Sequence, residues 1–123
     1  MNAADSRPVY VQLIDKIYTM VLSGQYPPGA KLPTVRELAE LMQANPNTVQ
    51  RALFYLEDRG LIYTQRTTGK FITDDPAVIE NAREAMASQY TGEYLQKMAQ
   101  IGVDAASAIK MLSEKGDNRL GTH

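Results

Sequence analysis

The chain has 123 residues, 44% of them hydrophobic, which is enough for one domain with a small appendage and a buried core. It holds no cysteine and a single histidine, His123 at the last position, which argues against disulfides, zinc chemistry, Cys catalysis and a Ser/His relay. No apolar run approaches the roughly 20 residues needed to cross a bilayer, and "MNAADSRP" lacks the basic and apolar regions of a signal peptide, so a soluble, cytoplasmic protein with no membrane partner is expected.

The net charge of -1 does not advertise a polyanion partner, but the balance is uneven. Residues 31–73 hold six basic and four acidic side chains, whereas residues 76–123 hold five and six. Placement therefore matters more than the total.

Residues 8–23 carry Tyr10, Leu13, Ile14, Ile17 and Val21 on one stripe, with Pro8 suited to a first helical position and Gly24 to the position past the end. "QYPPGAKLP" holds three prolines and a glycine and reads as a turn, with a short strand at Lys31-Leu32. "TVRELAELM" opens with Thr34 and Glu37 in capping-box spacing, and Val35, Leu38, Leu41 and Met42 are expected to face inward. After the break "QAN", Asn45 suits an N-cap and Pro46 the first helical position of a helix that runs to Gly60. Two short helices joined so briefly form a helix-turn-helix. "LIYTQ" and "KFIT", separated by "RTTG", predict a hairpin with a basic tip at Arg66 and Lys70. This order predicts an α+β fold, a winged helix-turn-helix domain over residues 1–75.

"DDP" marks a boundary, and residues 76–123 are expected to form a short two-helix C-terminal dimerisation tail. Ile79, Ala82, Met86, Tyr90, Tyr94, Met98 and Ile101 recur three or four apart on a long helix, with a bend allowed at Gly92 and a stop at Gly102. Asp104 can cap a last helix with Ala105, Ile109 and Leu112 inward, and "GDNRLGTH" reads as a frayed tail.

The start of the helix after Asn45 is polar in an unusual way. Asn45, Asn47, Thr48, Gln50 and Arg51 are hydrogen-bonding side chains rather than the Glu/Lys mixture that solvates a surface helix. An α-helix fits the major groove, where Asn and Gln pair with adenine, Arg pairs with guanine and a Thr methyl meets the methyl of thymine. Arg36 lies at the start of the preceding helix, where a phosphate contact is natural, and Arg66, Thr68 and Lys70 can meet an adjacent groove. Each feature also has a plainer reading. Polar residues after an N-cap occur on any solvated helix, Arg36 can pair with Glu40, and Arg66 and Lys70 can be ordinary hairpin charges. The tyrosines and methionines read as core or interface rather than as a cofactor site. No nucleophile/base pair or paired carboxylates stand out, so enzyme activity, a metal site and a cofactor are not expected.

The stretch "GQYPPGAKLPTVRELAELMQANPNTVQRALFYLEDRGLIYTQRTTGKFI", with "PVYVQLIDKI" before it, resembles the DNA-binding domain of GntR-family transcription regulators. The matching set is Pro-Gly-x-x-Leu-Pro, Arg-Glu-Leu-Ala, Thr-Val-x-x-Ala-Leu and Gly-Leu-Ile, nearly continuous over residues 8–73. Only 48 residues follow residue 75, and the short helical tail is similar to that of the YtrA subfamily. The resemblance implies a bacterial homodimeric regulator, usually a repressor, often encoded beside the ABC-transporter genes it controls. It implies that Arg36 matches an arginine of the family's DNA contacts. Pro46 and Gln50 stand where many members carry arginine, so Asn45, Asn47, Thr48 and Arg51 carry more of the recognition. Gly69 keeps one of the wing's two usual glycines, and Thr67 replaces the other.

The tail has little to pack on. Leaving Ile79, Met86, Tyr90, Tyr94, Met98, Ile109 and Leu112 in water forfeits roughly 1.5–3 kcal/mol per large side chain. A two-fold homodimer removes that cost and offers two recognition helices to double-stranded operator DNA. The tail can instead fold back on its own winged helix. A protein-interaction or non-specific architectural module is the alternative function. Neither an effector ligand nor an operator sequence is legible.

Overall fold

The computed structural model describes residues 7–121, with side chains described as far as Gly116. Residues 1–6 and His123, on which the signal-peptide and histidine arguments bear, lie outside the described residues. Among the described residues no helix is long and apolar enough to cross a membrane. The elements run α1 (Val9–Leu22), α2 (Val35–Met42), α3 (Pro46–Asp58), β1 (Ile62–Gln65), β2 (Gly69–Ile72), α4 (Pro76–Gln100) and α5 (Ala105–Gly121). This is a winged helix-turn-helix, α+β, with a small antiparallel sheet.

The first helix buries Leu13, Ile14, Ile17 and Val21 and leaves Tyr10 half-buried. It starts at Val9 with Pro8 as its N-cap, one residue later than expected. The chain leaves α1 through Gly24 at φ +85, a left-handed backbone that costs glycine little. Residues 29–32 then run beside β2. The Leu32 amide donates to the Lys70 carbonyl at 2.8 Å, and the Ile72 amide to that of Ala30 at 2.8 Å. The expected short strand at Lys31 is thus a single bridge to Phe71.

A complete capping box opens α2. The Glu37 amide donates to Thr34 Oγ1 at 3.1 Å, and the Thr34 amide to Glu37 Oε1 at 2.9 Å. These bonds, the backbone one first, hold the Glu37 carboxyl below its ordinary range. The inward face corrects one expectation. Leu38, Ala39 and Met42 are buried with Val35 half-buried, while Leu41 is 71% exposed. Positions 35, 38, 39 and 42 make the i, i+3, i+4, i+7 stripe, and Leu41 falls outside it.

Gln43 turns the chain at φ 50, and α3 begins on the Asn45 cap, whose Oδ1 accepts the Asn47 amide at 2.8 Å. Val49, Ala52, Leu53 and Leu56 are completely buried, and α3 packs on both α1 and α2. The helix stops at Asp58, with Arg59 as C-cap and Gly60 at φ +77. The hairpin pairs Ile62 with Ile72 and Gln65 with Gly69, and the Tyr63 and Phe71 rings stack at 5.6 Å.

The compact units run to Arg83 and from Glu84, so the first turns of α4 belong with the winged helix. There Ile79 is buried in the core, and Arg83 donates through Nη2 to the Leu22 carbonyl at 2.7 Å, satisfying the end of α1. Ile79 is therefore covered by its own chain rather than exposed on a free stripe.

In the second unit, α4 continues past Gly92 without a break and ends at Gln100, two residues before Gly102 at φ +85. Asp104 caps α5, accepting the Ser107 amide at 2.8 Å. The α5 backbone stays helical to Gly121, which corrects the expected fraying from Gly116. An interior glycine costs about 0.8–1.0 kcal/mol relative to alanine, too little by itself to stop a helix. Ala108 is the buried apolar residue of this unit among the described residues, while Ile101, Ile109, Met111, Leu112 and Tyr90 are exposed. Ile109 and Leu112 thus point to solvent in a single chain, not inward.

Candidate nucleic-acid interface

The buried stripe of α3 forces its other side outward. Asn45, Asn47, Gln50 and Arg51 are exposed and Thr48 is half-buried, all within the first two turns. The side chains of Asn47 and Gln50 make no hydrogen bond among the described residues, so their donors and acceptors face water. Asn45 is partly committed, because its carbonyl oxygen caps the helix, while both N–H groups of its amide remain for another partner.

Arg51 is exposed, and its guanidinium carbon lies 4.5 Å from the centroid of the Tyr10 ring. This cation–π contact is worth about 0.5–1 kcal/mol at an exposed site, and it holds Arg51 at the seam of α1 and α3. Arg36 is exposed in the first turn of α2 and forms no pair with Glu40.

The wing divides its polar residues into two sets. Arg66 at the tip is exposed and unpaired among the described residues. Thr68 closes the turn instead, its hydroxyl donating to Gln65 Oε1 at 2.9 Å and its amide to the Gln65 carbonyl at 3.2 Å. Lys70 is turned inward. Its ammonium donates to Thr64 Oγ1 at 2.8 Å and to Glu57 Oε2 at 3.4 Å, and its side chain is 15% exposed. Thr64 Oγ1 in turn donates to Glu57 Oε1 at 2.7 Å. The Thr64 hydroxyl and then the Lys70 charge hold the Glu57 carboxyl below its ordinary range. This network ties the hairpin to the last turn of α3.

Gly69, at φ +120, begins the return strand beside Lys31. Lys31, Thr34 and Val35 line an open cleft of about 370 Å3 with wing residues 64–70. Tyr10, Lys31, Glu57 and Thr64 all lie against or beside the candidate residues, yet none belongs to the polar helix face that marks the site in the sequence. Only the fold brings them there. Spacing gave one hint: Glu57 and Thr64 flank the Gly60 turn and so lie close in space.

The arrangement offers hydrogen-bonding side chains on one exposed helix face, a free arginine at the preceding helix, and a basic hairpin tip. It suits a groove and its phosphates. The comparisons agree. The model of the bacterial regulatory proteins of the gntR family matches residues 9–72. The chain is 38% identical over 105 residues to the HTH-type transcriptional repressor YtrA of Bacillus subtilis (strain 168), covering 85% of this chain and 76% of that protein. A GntR family transcriptional regulator from Listeria monocytogenes has a similar structure, with a TM-score of 0.82 and 38% identity over 89% of this chain and 96% of that one. AraR(DBD), solved in complex with operator ORR3, is similar at a TM-score of 0.53 and 26% identity over 59% of this chain and 88% of its own. The chain belongs to the gntR family of bacterial regulatory proteins and is a DNA-binding transcriptional regulator, not an enzyme.

Proposed function

We propose that this regulator is a cytoplasmic homodimeric, sequence-specific repressor that binds a near-palindromic operator and controls an ABC-type transporter operon. The first two turns of α3 carry this reading, because their apolar face is completely buried and their Asn47, Gln50 and Arg51 face is left in water. Residues 1–75 bind DNA, with Arg36, Asn45, Asn47, Thr48, Gln50 and Arg51 at the major groove and its edge and Arg66, Thr68 and Gly69 at the wing. Residues 76–123 dimerise. The exposure of Ile101, Ile109, Met111 and Leu112 supports this, since a two-fold partner removes such surface from water. Two recognition helices then meet half-sites about 34–36 Å apart or multiples of that spacing. The repressor sign follows YtrA, which is named a repressor, and the transporter operon follows the family resemblance.

A gel-shift comparison of the promoter of its own operon with a scrambled duplex of equal composition tests the reading. Preference for the promoter is expected. Equal affinity would overturn it and favour a second reading, a winged helix that docks a protein, for which the exposed Leu41 and Phe54 offer apolar anchors.

A further inference from the structure

Lys70 is the basic residue of the return strand, yet the structure leaves it little to offer DNA. Two of its hydrogen bonds go to Thr64 and Glu57, and the Glu57 carboxylate already balances its charge. A cation neutralised inside the protein releases few counterions from a duplex.

Lys31 is less committed. It is exposed and forms no hydrogen bond or ion pair among the described residues, and its charge reaches the Glu37 carboxylate only as the weakest of the influences on that group. Its backbone is pinned beside β2 through the bridge to Phe71. Its side chain crosses the wing at Gly69, where an added methyl would stand 3.1 Å from Lys31 Cε and 3.9 Å from Nζ. The absence of a side chain at Gly69 therefore leaves the lysine stem its path. Lys31 lines the open cleft together with Thr34 and Arg66, and Arg66 is also unpaired among the described residues.

We infer that Lys31, and not Lys70, is the lysine that neutralises a backbone phosphate of the operator beside the wing. Lys70 is instead a positioning residue that, with Thr64 and Glu57, fixes the hairpin against the end of α3. The inference rests on the DNA-binding reading and adds a contact outside the helix-turn-helix and the hairpin tip.

The test is the salt dependence of binding, read by fluorescence anisotropy on the promoter duplex and on its scrambled control. The full chain is compared with Lys31→Met, Lys31→Arg and the charge-balanced double variant Lys70→Met with Glu57→Gln. Each phosphate contact contributes about 0.9 to the slope of log affinity against log salt, or about 3.5-fold between 50 and 200 mM. Lys31→Met is expected to lose about one such increment per chain, equally on both duplexes, and Lys31→Arg to keep it. The double variant is expected to bind more weakly with the slope unchanged. A wild-type slope in Lys31→Met overturns the inference, as does a double variant that loses the same increment. If the double variant does not fold, the Met and Arg variants of Lys31 decide alone. Failure of the parent reading is separate, because it appears in the wild-type chain as equal affinity for the two duplexes.

Discussion

Arg51 offers a sharp separation between reading bases and holding a backbone. The perturbation is Arg51→Ala. In the free protein the guanidinium rests over Tyr10 at 4.5 Å, a contact worth about 0.5–1 kcal/mol. That is small beside the 5–15 kcal/mol typical of a folded domain, about the range expected here, so the variant stays folded. On the operator, a bidentate arginine–guanine pair contributes about 1–3 kcal/mol, or about 5- to 150-fold per half-site, and a symmetric dimer meets it twice. Anisotropy titrations at one salt concentration, on operator and scrambled duplexes, measure both losses. The expected result is a large loss on the operator and a small one on the scrambled duplex. Tyr10→Phe keeps the ring under the guanidinium and is expected to bind like the wild type. An equal loss on both duplexes would refute base reading and reduce Arg51 to a phosphate contact.

Other expectations follow from the same geometry. Ile109 is 61% exposed on α5, so Ile109→Asp leaves each chain folded but is expected to give monomers in sedimentation velocity; an intact dimer would move the interface elsewhere. Leu53 is completely buried between α3 and its neighbours, and Leu53→Ala is expected to lower stability by about 2–5 kcal/mol in urea unfolding. The depressed Glu57 carboxyl stabilises the fold fully above the unfolded-state glutamate value of about 4.3 and loses that contribution as pH falls through its lower folded value. Glu57→Gln is expected to flatten the fall of the urea midpoint between about pH 5 and pH 3, and an unchanged profile would remove Glu57 from the acid response.

Much of this fold was legible because local signals agreed with packing. Thr34 with Glu37, and Asn45 with Pro46, mark helix starts by chemistry that acts within one turn, and both caps form as read. Gly24, Gly60 and Gly102 sit where the backbone turns left-handed. Leu41 failed because α2 is only 8 residues long. Its buried stripe includes the small Ala39, and a larger leucine beside it drew the expectation away. Ile79 carried the same helical period as the rest of α4, and period alone does not say which stretch of a long helix meets its own domain. The wing resisted for a different reason. Whether Lys70 stays free depends on Thr64 and on Glu57, a carboxylate 13 residues from the lysine, which no short-range pattern records.

The central claim is that two copies of the α3 face are held at a fixed separation by their tails. The most direct measurement inserts five base pairs, about half a helical turn, between the half-sites of the footprinted operator, with titration of the wild-type protein on both duplexes. The inserted spacing turns one half-site to the far side of the duplex, so affinity should fall to that of scrambled DNA, with two chains bound per intact operator. Undiminished affinity after the insertion, or saturation at one chain per operator, would contradict it.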